Sequence, residues 1–435
     1  MLCCSAAANL IVGINDDAKY EASVPSFFMP TMSSEGLKLN ALTIRWDETS
    51  PTPIDPDLLA SISQVLSLAQ SAGVTVELDL YPLHSQVFTD GQRCSPTTNP
   101  VACGDTARIQ EFAAWTATIA QTFPSVHEFI VGNECNQPLF LNPQWGSAGQ
   151  NQSAAICGRA LAAAYDALKN VNSSNFVWGV GLSPRGNDSP NAPSDSSTSP
   201  VQFLGDLGNW FKAFAAKTGR TAPLMDGLDF HPYPVPQSLP FATGYADARD
   251  ASISNLPRIY QAFYDGFNGS RQNTIGQQPG GGLPLSLNEM GIQTTETNQP
   301  GYVNLEVSAT ASGGVVGAFA TQAYQATYYK EMLALLACDP NVRQIDIFHL
   351  VDEPNLAGWQ SGLYEFLPTT PVPKLSAAVV GNWLSQTAGA CQGNMTSWRP
   401  PPQPPLNPTK TTKTTKQVRT KLKQLKQERQ LRNHT

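Results

Sequence analysis

The chain has 435 residues, of which 41% are apolar and only 14% charged, and its formal net charge is −7. This length can bury a large core, as one large domain or two to three small ones. No apolar run approaches the roughly 20 residues of a membrane-spanning helix, so no transmembrane helix is predicted. Frequent Gly and Pro are more typical of a loop-rich secreted enzyme.

The N-terminal segment Met1–Ala8 ends in small residues that resemble a signal-peptide cleavage site. It has no basic residue and no long apolar stretch, which a complete signal peptide requires. We interpret it as the remnant of a signal peptide shortened by a misplaced start, with a genuine cytosolic start as the alternative. We therefore expect an extracellular or cell-wall-associated protein.

Short β-rich runs alternate with segments of helical periodicity along most of the chain. The predicted strands are Leu10–Ile14, Ala41–Trp46, Thr75–Leu80, Glu128–Gly132, Phe176–Gly181, Gly227–Phe230, Leu285–Asn288 and Gln344–Phe348. The predicted helices are Pro56–Ala72, Thr106–Phe123, Ala154–Val171, Val201–Thr218, Ile253–Phe267 and Ala318–Leu336. This order predicts an α/β fold, a (β/α)8 TIM barrel with long βα loops. A doubly wound sheet is the alternative, but no G-x-G-x-x-G turn follows the first strand.

Eight cysteines are present, and none has the C-x-x-C spacing of a zinc site. We predict three disulfides, with Cys3 and Cys4 left over. The predicted pairs are Cys94–Cys103, Cys135–Cys157 and Cys338–Cys391. Disulfides are typical of proteins outside the cytoplasm. No metal or other cofactor is expected, because the five histidines are scattered and no His, Asp and Glu cluster has ligand spacing.

The composition changes abruptly near the C-terminus. We place the barrel domain at residues 5–393, a proline-rich linker at 394–409 and a disordered basic tail at 410–435. Lys410–Arg432 holds nine Lys and Arg and one Glu, which leaves about +8 on the tail and about −15 on the remainder. A solvated tail is the simplest interpretation, and a tether to an anionic cell-wall or membrane surface is the alternative. We expect a monomer that binds no nucleic acid, since no companion motif accompanies the charge.

Two glutamates each follow an asparagine at the end of a short apolar run. Glu134 follows Asn133 at the end of strand four, and Glu289 follows Asn288 at the end of strand seven, 155 residues later. In a (β/α)8 barrel these strand ends form the active site. A carboxylate there is costly unless it is paired, hydrogen-bonded or catalytic, and two on separate strands are what glycosidic bond cleavage needs. We therefore predict Glu134 and Glu289 as the catalytic residues.

Other polar residues fall at the same strand ends. His231 and Tyr233 lie two residues apart after strand six and so share one side. We predict that Tyr233 orients the carboxylate of Glu289 and that His231 binds a hydroxyl, the tyrosine or a carboxylate, with a structural histidine as the alternative. Arg45 is expected beside Glu289, where its charge would keep the carboxylate ionised, unless it forms an ion pair at the barrel mouth.

Three further residues are predicted to contact substrate. The amide of Asn133 is expected to hydrogen-bond a sugar hydroxyl, and Trp46 and Trp359 are expected to stack on sugar faces. Burial in the core is the alternative for both tryptophans. Asp79, at the end of strand three, is expected to be structural.

Three motifs resemble those of clan A of the glycoside hydrolases. Gly132-Asn133-Glu134 resembles the acid/base signature after strand four, Asn288-Glu289-Met290-Gly291 resembles the nucleophile signature of strand seven, and His231-Pro232-Tyr233 resembles the strand-six His-x-Tyr. The resemblance covers most of residues 9–393 and is nearest to family 5, the cellulase type, with family 39 as a neighbour. It implies a retaining hydrolase of a β-linked poly- or oligosaccharide, with Glu134 as acid/base and Glu289 as nucleophile.

Two features depart from that pattern. Glu134 is followed by Cys-Asn-Gln-Pro rather than directly by proline, and strand eight ends in Phe348-His349-Leu350 where the clan often has a tryptophan. Two other classes of function stay open: a non-catalytic carbohydrate-binding barrel, and a wall-associated interaction protein that acts through its basic tail. Transglycosylation is the same chemistry with a sugar as acceptor.

Overall fold

The computed structural model describes residues 9–89, 94–192, 196–235, 239–276, 282–294, 320–354, 358–367, 370–396 and 398. Eight parallel strands within them close into a barrel in sequence order, with β8 paired to β1. The strands are β1 Ile11–Asp16, β2 Leu39–Trp46, β3 Thr75–Pro82, β4 Glu128–Val131, β5 Phe176–Leu182, β6 Gly227–Phe230, β7 Leu285–Met290 and β8 Val342–Ile347. The chain is therefore a TIM barrel, as the sequence predicts.

Helices follow every strand of the barrel. They are α1 Ala18–Ser23, α2 Phe28–Glu35, α3 Pro56–Ala72, α4 Thr106–Thr122, α5 Ser153–Val171, α6 Pro200–Thr218, α7 Leu256–Phe267, α8 Gln322–Leu336 and α9 Leu375–Thr387. A small antiparallel pair, β9 Tyr364–Glu365 and β10 Val372–Pro373, lies in the loop after β8. The two short helices between β1 and β2 are not predicted, because their 6 and 8 residues give too few turns for a clear period.

Capping residues explain why the long helices agree closely with the prediction. Asp55 accepts a hydrogen bond from the N–H of Leu58 at the start of α3, and Gly73 ends that helix in the left-handed conformation. The helix α6 begins with Ser199 at its N-cap and Pro200 in its first turn. Residues 253–255, predicted as the start of a helix, form a separate 3₁₀ turn before α7.

The register of β2 and β3 shows how the two faces of the barrel wall differ. Thr43 pairs with Asp79, and Arg45 pairs with Tyr81 at the barrel mouth. The alternate residues of β2 pack against the outer helices. Trp46 is only 6% exposed, and its ring lies 5.5 Å from that of Phe112 on α4. The prediction of Trp46 as a sugar platform is therefore wrong, because it lies on the outer face, in the core between the barrel and α4.

The three predicted disulfides are present. Cys94–Cys103 closes a small ring before α4, Cys135–Cys157 ties the loop after β4 to α5, and Cys338–Cys391 joins the end of α8 to the segment after α9. After the last disulfide, the ring of Trp398 packs on the ring of Tyr260, which lies on α7. Residue 398 is thus still in contact with the barrel domain.

The remaining predictions about the chain ends fall outside the described residues. These are the two leftover cysteines, most of the linker and the whole basic tail. Among the helices that the structure describes, none is long and apolar enough to span a bilayer.

Candidate active site

The two predicted catalytic glutamates meet at the mouth of the barrel. The side chains of Glu134 and Glu289 are each 17% exposed. The strand β7 is irregular just before the second one: Leu287 pairs with Ile345 and Met290 pairs with Ile347, so three steps along β7 match two along β8. Such a bulge redirects side chains, and it lets Glu289 reach the mouth although Asn288 next to it is buried.

The backbone of Glu134 lies in the left-handed region, with φ at 37°, which is uncommon for a residue with a side chain. Its N–H donates to the carbonyl oxygen of Gly181 on β5 at 2.6 Å, and the neighbouring Cys135 is held by its disulfide to α5. Gly181 must be glycine, since a Cβ there would lie 3.1 Å from His231 Nε2 and its φ is 52°. Local strain is thus used to aim Glu134 into the site.

His231 connects the two glutamates. Its Nδ1 lies 3.4 Å from Glu134 Oε1 and 3.4 Å from Glu289 Oε2, and the imidazole is fully buried. Because both oxygens are 3.4 Å from one nitrogen atom, they lie at most 6.8 Å apart. Tyr233 donates its hydroxyl hydrogen to Glu289 Oε2 at 3.3 Å, as predicted for it.

The charged side chains around His231 shift one another's pKa values. Burial raises the pKa of Glu289, and the charges of Glu134 and Asp229 raise it further, while His231 opposes them. Burial alone would lower the pKa of His231, but the carboxylates of Glu289, Asp229 and Glu134 outweigh it and raise that pKa well above its ordinary value. The surrounding carboxylates therefore favour the imidazolium form of His231.

Arg45 does not occupy the position predicted for it. It is exposed at the barrel mouth, and in the described part of the chain it forms no ion pair with Glu289. The cation beside Glu289 is His231, which reaches it from β6. Asn133 is buried beside the acid/base candidate, and its Oδ1 has no hydrogen-bond partner among the described residues.

An aromatic wall stands beside Glu289. The half-buried ring of Trp359 lies 5.1 Å from that of Tyr233 and 5.6 Å from that of Phe348. Phe348, joined to His349 by a cis peptide bond, stands where a tryptophan was expected from the resemblance. Trp359 thus lies next to the two candidate catalytic glutamates, whereas Trp46 does not.

Several buried acids lie inside the barrel below the site. Asp79, Asp229, Glu77 and Asp346 are all fully buried. Burial and the charge of Glu289 raise the pKa of Asp79 well above its ordinary value, which favours its protonated form. Sequence reasoning treated Asp79 as structural and did not single out the other three. The sequence signal that could have identified them is the alternation of polar residues along β3 and β6, because alternate residues of a strand share one face, here the inward face of the barrel.

A possible metal-ligand group lies on the rim, where none was expected from the spacing in the sequence. Asp47, Glu48 and His84 place one ligand atom each within 4.8 Å of one another. The loops after β2 and β3 bring them together, although His84 is 36 residues from Glu48. An ion pair of 3.0 Å between His84 and Glu48, and hydrogen bonds from Thr49 to Asp47, account for these contacts without a metal.

Comparison with known proteins identifies the fold. No protein-family model and no curated protein matches the sequence. A family 39 glycoside hydrolase from Bacteroides cellulosilyticus WH2 has a TM-score of 0.51 and 16% identity, over 86% of this chain and 64% of that one. A β-glucosidase from Thermotoga maritima has a TM-score of 0.52 and 10% identity, over 86% of this chain and 97% of that one.

The virulence factor SghA from Agrobacterium tumefaciens is equally similar, with a TM-score of 0.52 and 13% identity over 88% of this chain and 97% of that one. At such identities the likeness concerns the fold. The resemblance to clan A glycosidases that the motifs imply is confirmed at that level, since the chain has the same barrel as solved glycosidases.

Proposed function

We propose that this protein is a retaining glycoside hydrolase that acts on a β-linked poly- or oligosaccharide. The observation that carries the proposal is the shared contact of His231 Nδ1, which places Glu134 Oε1 and Glu289 Oε2 within 6.8 Å of each other. Retaining enzymes hold their carboxyl groups about 5–5.5 Å apart, whereas inverting enzymes need about 6.5–9.5 Å to admit a water molecule. The upper limit of 6.8 Å includes the retaining distance and only the lowest part of the inverting range, so it favours a retaining enzyme.

The roles of the two glutamates follow from their neighbours. Tyr233 donates a hydrogen bond to Glu289, and His231 lies 3.4 Å from it, and both contacts favour its ionised form against the burial that raises its pKa. Glu134 then protonates the leaving oxygen while Glu289 attacks the anomeric carbon and forms a covalent glycosyl ester. In the second step Glu134 takes a proton from water, the water oxygen bonds to the anomeric carbon, and Glu289 leaves as a carboxylate.

Substrate contacts fit the same assignment. The ring of Trp359 beside Tyr233 offers a face for a sugar ring, and the side-chain amide of Asn133, next to Glu134, is proposed to hydrogen-bond a sugar hydroxyl. Arg45, exposed at the mouth, is proposed to contact a more distant part of the substrate. A binding-only barrel would not need two carboxylates held on one imidazole, which argues against that alternative.

Location and attachment are separate proposals. Three disulfides favour an oxidising compartment, so we propose an extracellular protein. The basic tail is proposed as a tether to an anionic wall polymer or membrane surface. Deleting residues 400–435 and measuring cell-wall retention tests the tether, and unchanged retention would remove it.

The activity is tested with aryl β-glycosides and with β-glucan, β-mannan and xylan polymers. Wild type is compared with Glu134→Gln, Glu289→Gln and the control Glu111→Gln, which changes an exposed glutamate on α4. We expect hydrolysis of one substrate class, at least about 1,000-fold slower in both active-site variants and unchanged in the control. Proton NMR of the first product should show the β-anomer. An α-anomer would contradict retention, and full activity of Glu289→Gln would refute the site.

A further inference from the structure

The carboxylate of Asp229 lies directly below the catalytic pair and is fully buried. Its Oδ1 accepts the backbone N–H of Asn288 at 3.1 Å, at the bulge of β7 that precedes Glu289. Its Oδ2 lies 3.3 Å from His231 Nε2. One side chain therefore contacts both the histidine that joins the glutamates and the backbone that carries one of them.

The surroundings of His231 determine how many protons it carries. Its Nδ1 faces Glu134 and Glu289, and its Nε2 faces Asp229. The neutral imidazole has one N–H, so one of its nitrogens would turn a lone pair toward a carboxylate. Only the imidazolium presents an N–H on both sides, and at 3.3 Å its charge attracts Asp229 as a close ion pair, although Nε2 and Oδ2 lack hydrogen-bond geometry. Asp79 on β3 also acts on this ring, and burial together with the charge of Glu289 raises its pKa well above the ordinary value, which favours its neutral form.

The proposed reaction moves a negative charge from one side of His231 to the other. Before the first step Glu289 is ionised and Glu134 carries the proton; in the glycosyl intermediate Glu289 is a neutral ester and Glu134 is ionised. The Nδ1 is 3.4 Å from an oxygen of each, so the same imidazolium contacts whichever carboxylate is charged. A buried cation needs a lasting partner through both states, and the carboxylate on its other nitrogen supplies it.

We propose that Asp229 is a positioning residue that keeps His231 doubly protonated between the two catalytic carboxylates and holds the backbone before Glu289. The proposal rests on the retaining function given above. His231 is then a fixed charge shared by both steps, and it neither gives up nor gains a proton during turnover.

The first test is the variant Asp229→Asn, whose Oδ1 can still accept the N–H of Asn288 while the charge is lost. The matched control is Asp346→Asn, an equally buried acid inside the barrel that does not contact His231. We expect kcat/KM of Asp229→Asn to fall about 100-fold and that of the control to change little.

The pH profile separates a charge-holding role from simpler ones. If His231 becomes neutral, Glu289 loses its cation and the acidic limb of kcat/KM moves to higher pH. If His231 stays charged, removing Asp229 takes away a charge that opposes ionisation of Glu289, and the limb moves to lower pH. A shift to higher pH supports the proposal. An unchanged limb or a shift to lower pH overturns it.

Nitrogen NMR of labelled histidine tests the same point without an activity measurement. The wild-type signal, assigned by comparison with His231→Asn, should show both nitrogens protonated at pH 7.5 and one in Asp229→Asn. A wild-type His231 that is singly protonated at pH 7.5 would overturn the proposal. If the wild type hydrolyses no substrate while the NMR result holds, the proposed function fails and the charge-holding contact stands.

Discussion

The free energy of unfolding of the wild-type barrel is expected to fall as the pH rises, in part because Glu77 is buried. The variant Glu77→Gln should not show that part of the decrease. Glu77 is fully buried on β3, and its Oε2 accepts a hydrogen bond from Gln344 at 2.8 Å. Burial and the charge of Glu128 raise its pKa from 4.5 to about 8, so the folded protein holds this group protonated at neutral pH. Glutamine resembles that protonated form in shape and in carrying both a donor and an acceptor.

The sign and size follow from proton binding. Because the folded pKa is above the unfolded one, the contribution of Glu77 to stability is complete below pH 4.5 and is lost as the pH rises to about 8. At about 1.36 kcal/mol per pKa unit, the full loss is at most about 5 kcal/mol. For a folded unit of roughly 390 residues, with about 2.1 cal/mol/K of unfolding entropy per residue, this corresponds to about 6 °C in Tm.

The assay is thermal unfolding followed by circular dichroism at pH 5, 7 and 9. The wild type should lose up to about 6 °C more than Glu77→Gln between pH 5 and 9, and the exposed control Glu111→Gln should follow the wild type. Groups elsewhere in the chain affect all three proteins alike. Parallel curves for wild type and Glu77→Gln would refute the reasoning, because they would show that Glu77 ionises as easily in the folded state as in the unfolded one.

Three further outcomes are expected. Tyr233→Phe should lower kcat about 10- to 100-fold without lowering Tm, because it removes only a hydrogen bond to the nucleophile; an unchanged kcat contradicts that. Trp359→Ala should raise KM with little loss of stability. Trp46→Ala should lower the free energy of unfolding in urea by about 3–5 kcal/mol and leave KM unchanged. The reverse pattern would show that Trp46 contacts substrate and Trp359 belongs to the core. Replacing Cys135 and Cys157 by serine should cost about 3 kcal/mol, since their bridge closes 22 residues, and an unaltered urea midpoint would contradict it.

Much of this protein follows from local patterns in the sequence. The alternation of strand and helix predicts the barrel, because each element must bury one face and parallel strands need a crossover helix. Asp55 and Gly73 mark the ends of α3 through capping, which depends only on neighbouring residues. The positions of Glu134 and Glu289 at strand ends are likewise local, and the fold brings those ends together at one mouth.

Other features depend on contacts between distant segments, which only the tertiary structure decides. A tryptophan at a strand end gives no local sign of which face it takes, and register placed Trp46 in the core while the loop after β8 placed Trp359 at the site. The cation beside Glu289 is His231 rather than Arg45, since distance and burial, not residue type, determine which charge is felt. Asp229 and His231 are only two residues apart along the chain, but the strength of their interaction depends on the burial that the closed barrel creates.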